Sequence, residues 1–179
     1  MTMCIWLKLE QGTWWDTGNM YLVRYSSSNV FNGFSLIADG FDTMRIRLDI
    51  GPYYKCSAKF EGLKDDHWHQ VCVSYTSGHV KFYKDGTLIH SRDDCKSITI
   101  RNGEYMAIAN SGREGKDIVL ITGYVLWDRI LTDEEILESS KMCQAANGKP
   151  VITWNDFYKS VETNAANYLI RPSECRATM

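Results

Sequence analysis

The sequence predicts an all-β chain: a two-sheet antiparallel jelly-roll sandwich with one short α-helix near Asp133–Met142. Two observations carry this. Many short β-rich runs are separated by turn dipeptides, and a single capping-box motif interrupts them. A third, six widely spaced cysteines, bears on how the sandwich is stapled and where it works.

The strands follow in order. Cys4–Leu9 alternates Ile5, Leu7 and Leu9 against Cys4, Trp6 and Lys8, as a two-sided strand does. Tyr21–Tyr25 and Phe34–Ala38 read as a pair joined by the polar loop Ser26–Gly33, and Met44–Leu48 follows. Asp39-Gly40 and Gly51-Pro52 punctuate this region. Trp68–Thr76, His79–Lys84 and Thr87–Ser91 are separated by Ser77-Gly78 and Asp85-Gly86. Asp-Gly between two β-rich runs is a hairpin signal, because both residues tolerate positive φ. Ser97–Ile100, Tyr105–Ala109 and Ile118–Trp127 complete the set.

One segment departs from the pattern. In Thr132-Asp133-Glu134-Glu135, Thr132 can cap the first turn and Glu135 can reach back. Ile136, Leu137 and Met142 follow at helical spacing, which predicts the helix Asp133–Met142. The tail Ala145–Met179 holds Trp154 and Phe157, then turns polar; a bridge from Cys143 to Cys175 would tie it down. No repeat or linker appears, so residues 1–179 read as one domain.

Composition narrows the function classes. Hydrophobic residues make up 44%, charged residues 23%, and the formal net charge is −2. No basic stripe exists, so nucleic acid is not an expected partner. The longest apolar run, near Ile118–Ile121, is far too short to span a bilayer, so no direct membrane insertion is expected. Cys4 and Trp6 already read as domain, so any secretory leader is expected to lie outside this sequence. Cys4, Cys56, Cys72, Cys95, Cys143 and Cys175 contain no CxxC pair, which disfavours structural zinc. Their even number and wide spacing favour disulfides in an oxidising compartment over buried free thiols. The expected setting is a secreted protein or the extracellular part of a cell-surface protein.

Three ordered segments resemble the pentraxin family. They are Met3-Cys4-Ile5-Trp6-Leu7-Lys8, then Trp68-His69-Gln70-Val71-Cys72-Val73-Ser74-Tyr75 with Val80–Gly86, and finally Gly123-Tyr124-Val125-Leu126-Trp127-Asp128-Arg129-Ile130-Leu131-Thr132. The family signature has His where Gln70 stands and Trp where Tyr75 stands; Trp68-His69 is shared with laminin-G domains. The pentraxin strand that precedes the first Cys is absent or truncated. Trp154 with Cys143 and Cys175 looks like the end of neuronal-type pentraxins. The pentraxin-like domains of adhesion receptors are the other near match. The resemblance implies a jelly roll and a Cys4–Cys72 bridge. Its neuronal-type pattern implies Cys143–Cys175, which leaves Cys56 and Cys95 to each other.

The resemblance also implies a calcium site, which here has lost its carboxylates. The family's early Asp-Asn pair falls at Phe31-Asn32, and its late acidic run at Asn110-Ser111-Gly112-Arg113, where an Arg cation repels calcium. Asn32, Asn110, Glu114 and Asp117 could rebuild a weaker site, but read better as polar loop residues. The expectation is therefore no cofactor, with Ca2+ as the alternative. No pair of strand carboxylates or nucleophile elbow points to catalysis, so no enzyme is expected. His67 and His69 flank Trp68 at a spacing that could ligate a metal, without an evident third ligand; packing at the strand start is the better reading of His69.

Loop aromatics remain. Trp14 and Trp15 follow the first strand, and Tyr53 and Tyr54 stand beside Pro52. They are the expected ligand-binding residues, with folding back over the sandwich edge as the alternative. The expected function is extracellular recognition of a protein or glycan by surface contact. The alternative is a calcium-dependent pentraxin-like lectin of an oligomeric secreted protein. A homo-oligomer fits either reading.

Overall fold

A computed structural model describes residues 1–9, 20–27, 30–39, 45–50, 54–95, 105–111, 119–142 and 148–156. Eleven strands and one helix lie among them, in the order β1 (Thr2–Leu9), β2 (Met20–Ser27), β3 (Val30–Asp39), β4 (Arg45–Ile50), β5 (Tyr54–Lys59), β6 (Trp68–Thr76), β7 (His79–Lys84), β8 (Thr87–Arg92), β9 (Tyr105–Ser111), β10 (Val119–Trp127), α1 (Asp133–Met142) and β11 (Ile152–Thr153). They form two antiparallel sheets, β11-β10-β1-β6-β7-β8 and β5-β4-β3-β2-β9.

Alternation decides what each face meets. Met3, Ile5, Leu7 and Leu9 of β1 join Leu22, Phe34 and Leu36 of the second sheet in the main core. The other face of β1 carries Cys4, which packs with Cys72, Tyr83, Trp127 and Ile136 beneath α1. The helix is docked there by a buried hydrogen bond from Gln70 Nε2 to Ser139 Oγ at 3.1 Å. So Gln70, a departure from the family signature, serves helix packing.

The predicted signals hold where local chemistry is strong. Trp68–Thr76, His79–Lys84 and Asp133–Met142 are strand, strand and helix within the expected bounds. The capping box forms: Glu135 N–H donates to Thr132 Oγ1 at 3.2 Å, and Thr132 N–H donates to Glu135 Oε2 at 2.9 Å. Asp85 and Gly86 have φ of 49° and 78°, and Ser77 and Gly78 have 44° and 90°. Two positive φ values in a two-residue loop make both hairpin turns type I′. Gly86 is also required sterically. A Cβ there would lie 2.6 Å from Ser140 Oγ and 2.8 Å from Leu137 Cα, because the turn packs on α1.

Several expectations are corrected. Strand β5 was not foreseen, because its inward positions Cys56 and Ala58 give little apolar contrast, and Tyr54 opens this strand instead of lying in a loop. The loop expected at Ser26–Gly33 is mostly ladder, since β2 runs to Ser27 and β3 starts at Val30; Asn32 is thus on a strand. Asn110 likewise lies in β9. Within the tail, Ile152–Thr153 adds an unforeseen strand to β10, and Val151 N–H donates to Leu126 O at 2.8 Å. Ser97–Ile100 falls outside the described residues.

Two disulfides are present among the described residues, Cys4–Cys72 and Cys56–Cys95, both as the resemblance implied. Cys4 and Cys72 are register partners on β1 and β6 with Cα atoms 4.1 Å apart. The second bridge ties edge strand β5 to the segment after β8, closing one side between the sheets. Cys143 and Cys175 lie outside the described residues.

Candidate functional site

The sandwich opens at one end into an apolar groove of about 450 Å³. Its lining comes from six strands or their flanks: Met1 before β1, Tyr25 of β2, Phe34 of β3, the final residues of β6 and β10, and the start of β11. On the second sheet, Tyr25 and Phe34 are register partners whose rings stack at 5.4 Å, with 23° between planes. Tyr75, Leu126 and Ile152 face them from the first sheet. Phe34 and Tyr75 are buried while Val151 at the mouth is exposed, so the groove grades from core to solvent. Thr76, Ser77 and Asp128 supply polar groups, and Asp128 is the single carboxylate among the described lining residues. Tyr75 is the second departure from the family signature.

The polar architecture beside this end is the helix start. Arg129 makes a two-pronged ion pair with Glu135, both N···O distances 2.7 Å. Hydrogen bonds from Arg129 first, then from the Thr132 amide, pull the Glu135 carboxyl down to about 2. Asp133 accepts from the Tyr83 hydroxyl at 2.7 Å and from Lys81 at 3.1 Å, which holds its carboxyl below the usual range.

The opposite end is built from polar contacts on β6. His69 Nδ1 lies 2.7 Å from Asp85 Oδ2, and Nε2 lies 2.9 Å from Asp65 Oδ1. The pairing of His69 with Leu7, and the bond from Asp66 N–H to Leu9 O, place this cluster where β1 ends.

Residues 1–137 match the laminin G-type family described as the Concanavalin A-like lectin/glucanases superfamily. The chain belongs to this family. Solved structures share its fold at low identity. A native heptameric SAP-like pentraxin from Limulus polyphemus is 16% identical, with a TM-score of 0.66 over 86% of this chain and 75% of the pentraxin. The botulinum neurotoxin serotype D ligand binding domain in complex with N-acetylneuraminic acid is 14% identical, with a TM-score of 0.62 over 78% of this chain. A receptor binding domain of the botulinum C/D mosaic serotype is 15% identical, with a TM-score of 0.61 over 78% of this chain. The chain spans about a third of the botulinum chains, 35% in each of these two. No curated protein sequence matches it.

Of the expected ligand-binding residues, Trp14, Trp15 and Tyr53 lie outside the described residues. Tyr54 pairs with Ile50, which pairs with the groove residue Phe34.

Two of the four calcium candidates are placed by backbone register. Asn110 pairs with Tyr21 of β2, whereas Asn32 falls between the pairs Tyr25–Phe34 and Ser27–Val30. Their positions along β2 differ by about five residues, roughly 16 Å at the strand rise. Glu114 and Asp117 lie outside the described residues. Among the described residues no group of three His, Cys, Asp or Glu side chains could hold a metal. His67 precedes β6 and bonds Asp65 instead of sharing a strand face with His69.

The groove residues themselves were read only as strand residues. Tyr25, Phe34 and Tyr75 each end or begin an alternating run. An aromatic near a run's end, where the sheets part, was the available signal.

Proposed function

We propose that the chain is an extracellular recognition module that binds a protein or glycan by surface contact at the groove end, without a bridging calcium ion. The observation that carries this is the aromatic groove itself. Half-buried Tyr25, stacked on buried Phe34 with Tyr75 opposite, gives an apolar wall, and Thr76, Ser77 and Asp128 offer hydrogen bonds. Ligand sites combine these two features: a mostly apolar wall and a few directed polar groups. A lectin-type family and a fold neighbour solved with N-acetylneuraminic acid support a binding role. The disulfides fit an oxidising compartment, and among the described residues no helix is long and apolar enough to cross a membrane. We read the module as non-catalytic: glycoside hydrolysis needs two facing carboxylates, and the described lining of the groove carries one.

Binding to arrayed glycans, including N-acetylneuraminic acid-terminated ones, and to extracellular protein fractions tests this. Tyr75→Ala and Tyr25→Ala each weaken the selected ligand about tenfold, the scale of one lost aromatic contact. A chelator leaves binding unchanged. Loss of binding on chelation with recovery on adding calcium would replace this reading with a calcium-dependent lectin.

A further inference from the structure

The end opposite the groove holds a buried charge arrangement that recognition does not use. His69 is 9% exposed, yet both of its ring nitrogens face carboxylates at hydrogen-bond distance, Asp85 at 2.7 Å and Asp65 at 2.9 Å. A neutral imidazole has one N–H and one lone pair. It can donate to one of these oxygens only, and must set its lone pair against the other. The imidazolium donates to both, so this geometry specifies the charged ring.

The two carboxylates belong to different segments. Asp65 sits in the connection between β5 and β6, and Asp85 in the β7–β8 turn. Asp85 is bound to β6 twice more: its Oδ1 accepts Gln70 N–H at 2.9 Å, and its own N–H donates to Gln70 O at 2.9 Å. Three charged or titratable neighbours complete the surroundings. Lys84 of β7 donates to the carbonyls of Glu61 and Gly62 at 2.9 and 2.8 Å, and its charge opposes a protonated His69. His67 approaches Asp65 at 3.6 Å, and Asp66 follows Asp65 in the same connection. From β1 the ring's register partner is the apolar Leu7.

We propose that Asp65–His69–Asp85 is a proton-operated clasp: protonated, it holds the 60–67 connection and the β7–β8 turn to β6, and deprotonated, it loosens them. Burial disfavours the charged ring, but the hydrogen bonds to Asp85 and Asp65 outweigh it and hold His69 protonated above its ordinary range. A group with a raised folded value stabilises fully below its unfolded value, about 6.5 for histidine, and loses that stabilisation as pH rises through the folded one. The clasp therefore loosens toward alkaline pH.

Imidazole nitrogen NMR on the intact chain tests this, with amide exchange of residues 61–67 and 85–87 as the second readout. Both His69 nitrogens carry protons at pH 6.5, the ring titrates above a free histidine, and exchange in these segments outruns simple base catalysis once it does. Asp65→Asn, which alters a partly exposed side chain, moves the midpoint down. A wild-type midpoint at or below about 6.5 overturns the clasp. So does exchange that follows base catalysis alone in wild type and in Asp65→Asn.

Discussion

The two ends of the sandwich are held by different physics. At the groove end, half-buried Tyr25 lines an opening, with Phe34 and Tyr75 buried in the same lining. At the other end, Phe60 and Leu63 are buried and the chain above them is fastened by His69, Asp65, Asp85 and Lys84. Apolar burial is non-directional, so an apolar end tolerates a gap that a ligand can fill. Charged hydrogen bonds are directional and answer to pH. The same fold can thus leave one end open for contact and keep the other shut.

The largest test of this contrast removes the staple beside the groove. Cys56→Ser with Cys95→Ser releases a closure spanning 39 residues and leaves Cys4–Cys72 in place. The chain-entropy model gives a loss of roughly 4 kcal/mol, read as the shift in urea midpoint at constant slope. A shift near zero would mean that packing alone holds the groove end. Next, Gly86→Ala attacks the closed end. It forces a side chain into a position with φ of 78° and against Leu137 and Ser140, and should cost about 2 kcal/mol. Ligand binding at the groove should survive it in the folded fraction, and loss of that binding would show that the ends are coupled.

Smallest is the helix start. Thr132→Ala removes the cap and should cost about 1 kcal/mol. The same place responds to acid. Glu135 is held down to about 2, so its stabilisation is present above the ordinary glutamate range and is lost as pH falls toward that value. Helical circular dichroism should decline over this interval, and less so in Arg129→Gln. Since the clasp loosens as pH rises through the raised His69 value, the two ends are expected to respond to pH in opposite directions.

Local chemistry alone determined much of this protein. Alternating β1, the Asp85-Gly86 hairpin turn and the Thr132–Glu135 box are legible because their causes lie within a few residues: side-chain period, tolerance of positive φ, and reach of a carboxylate to a nearby amide. Strand β5 was not, since Cys56 and Ala58 signal burial only once a facing sheet exists. Nor was the site. Tyr25, Phe34 and Tyr75 come from three strands, and register set them around one opening, just as register parted Asn32 from Asn110. His69 could be placed at the start of its strand, but not between two carboxylates contributed by separate turns. Which groups meet across strands depends on pairing between distant segments, and that only the tertiary structure decided.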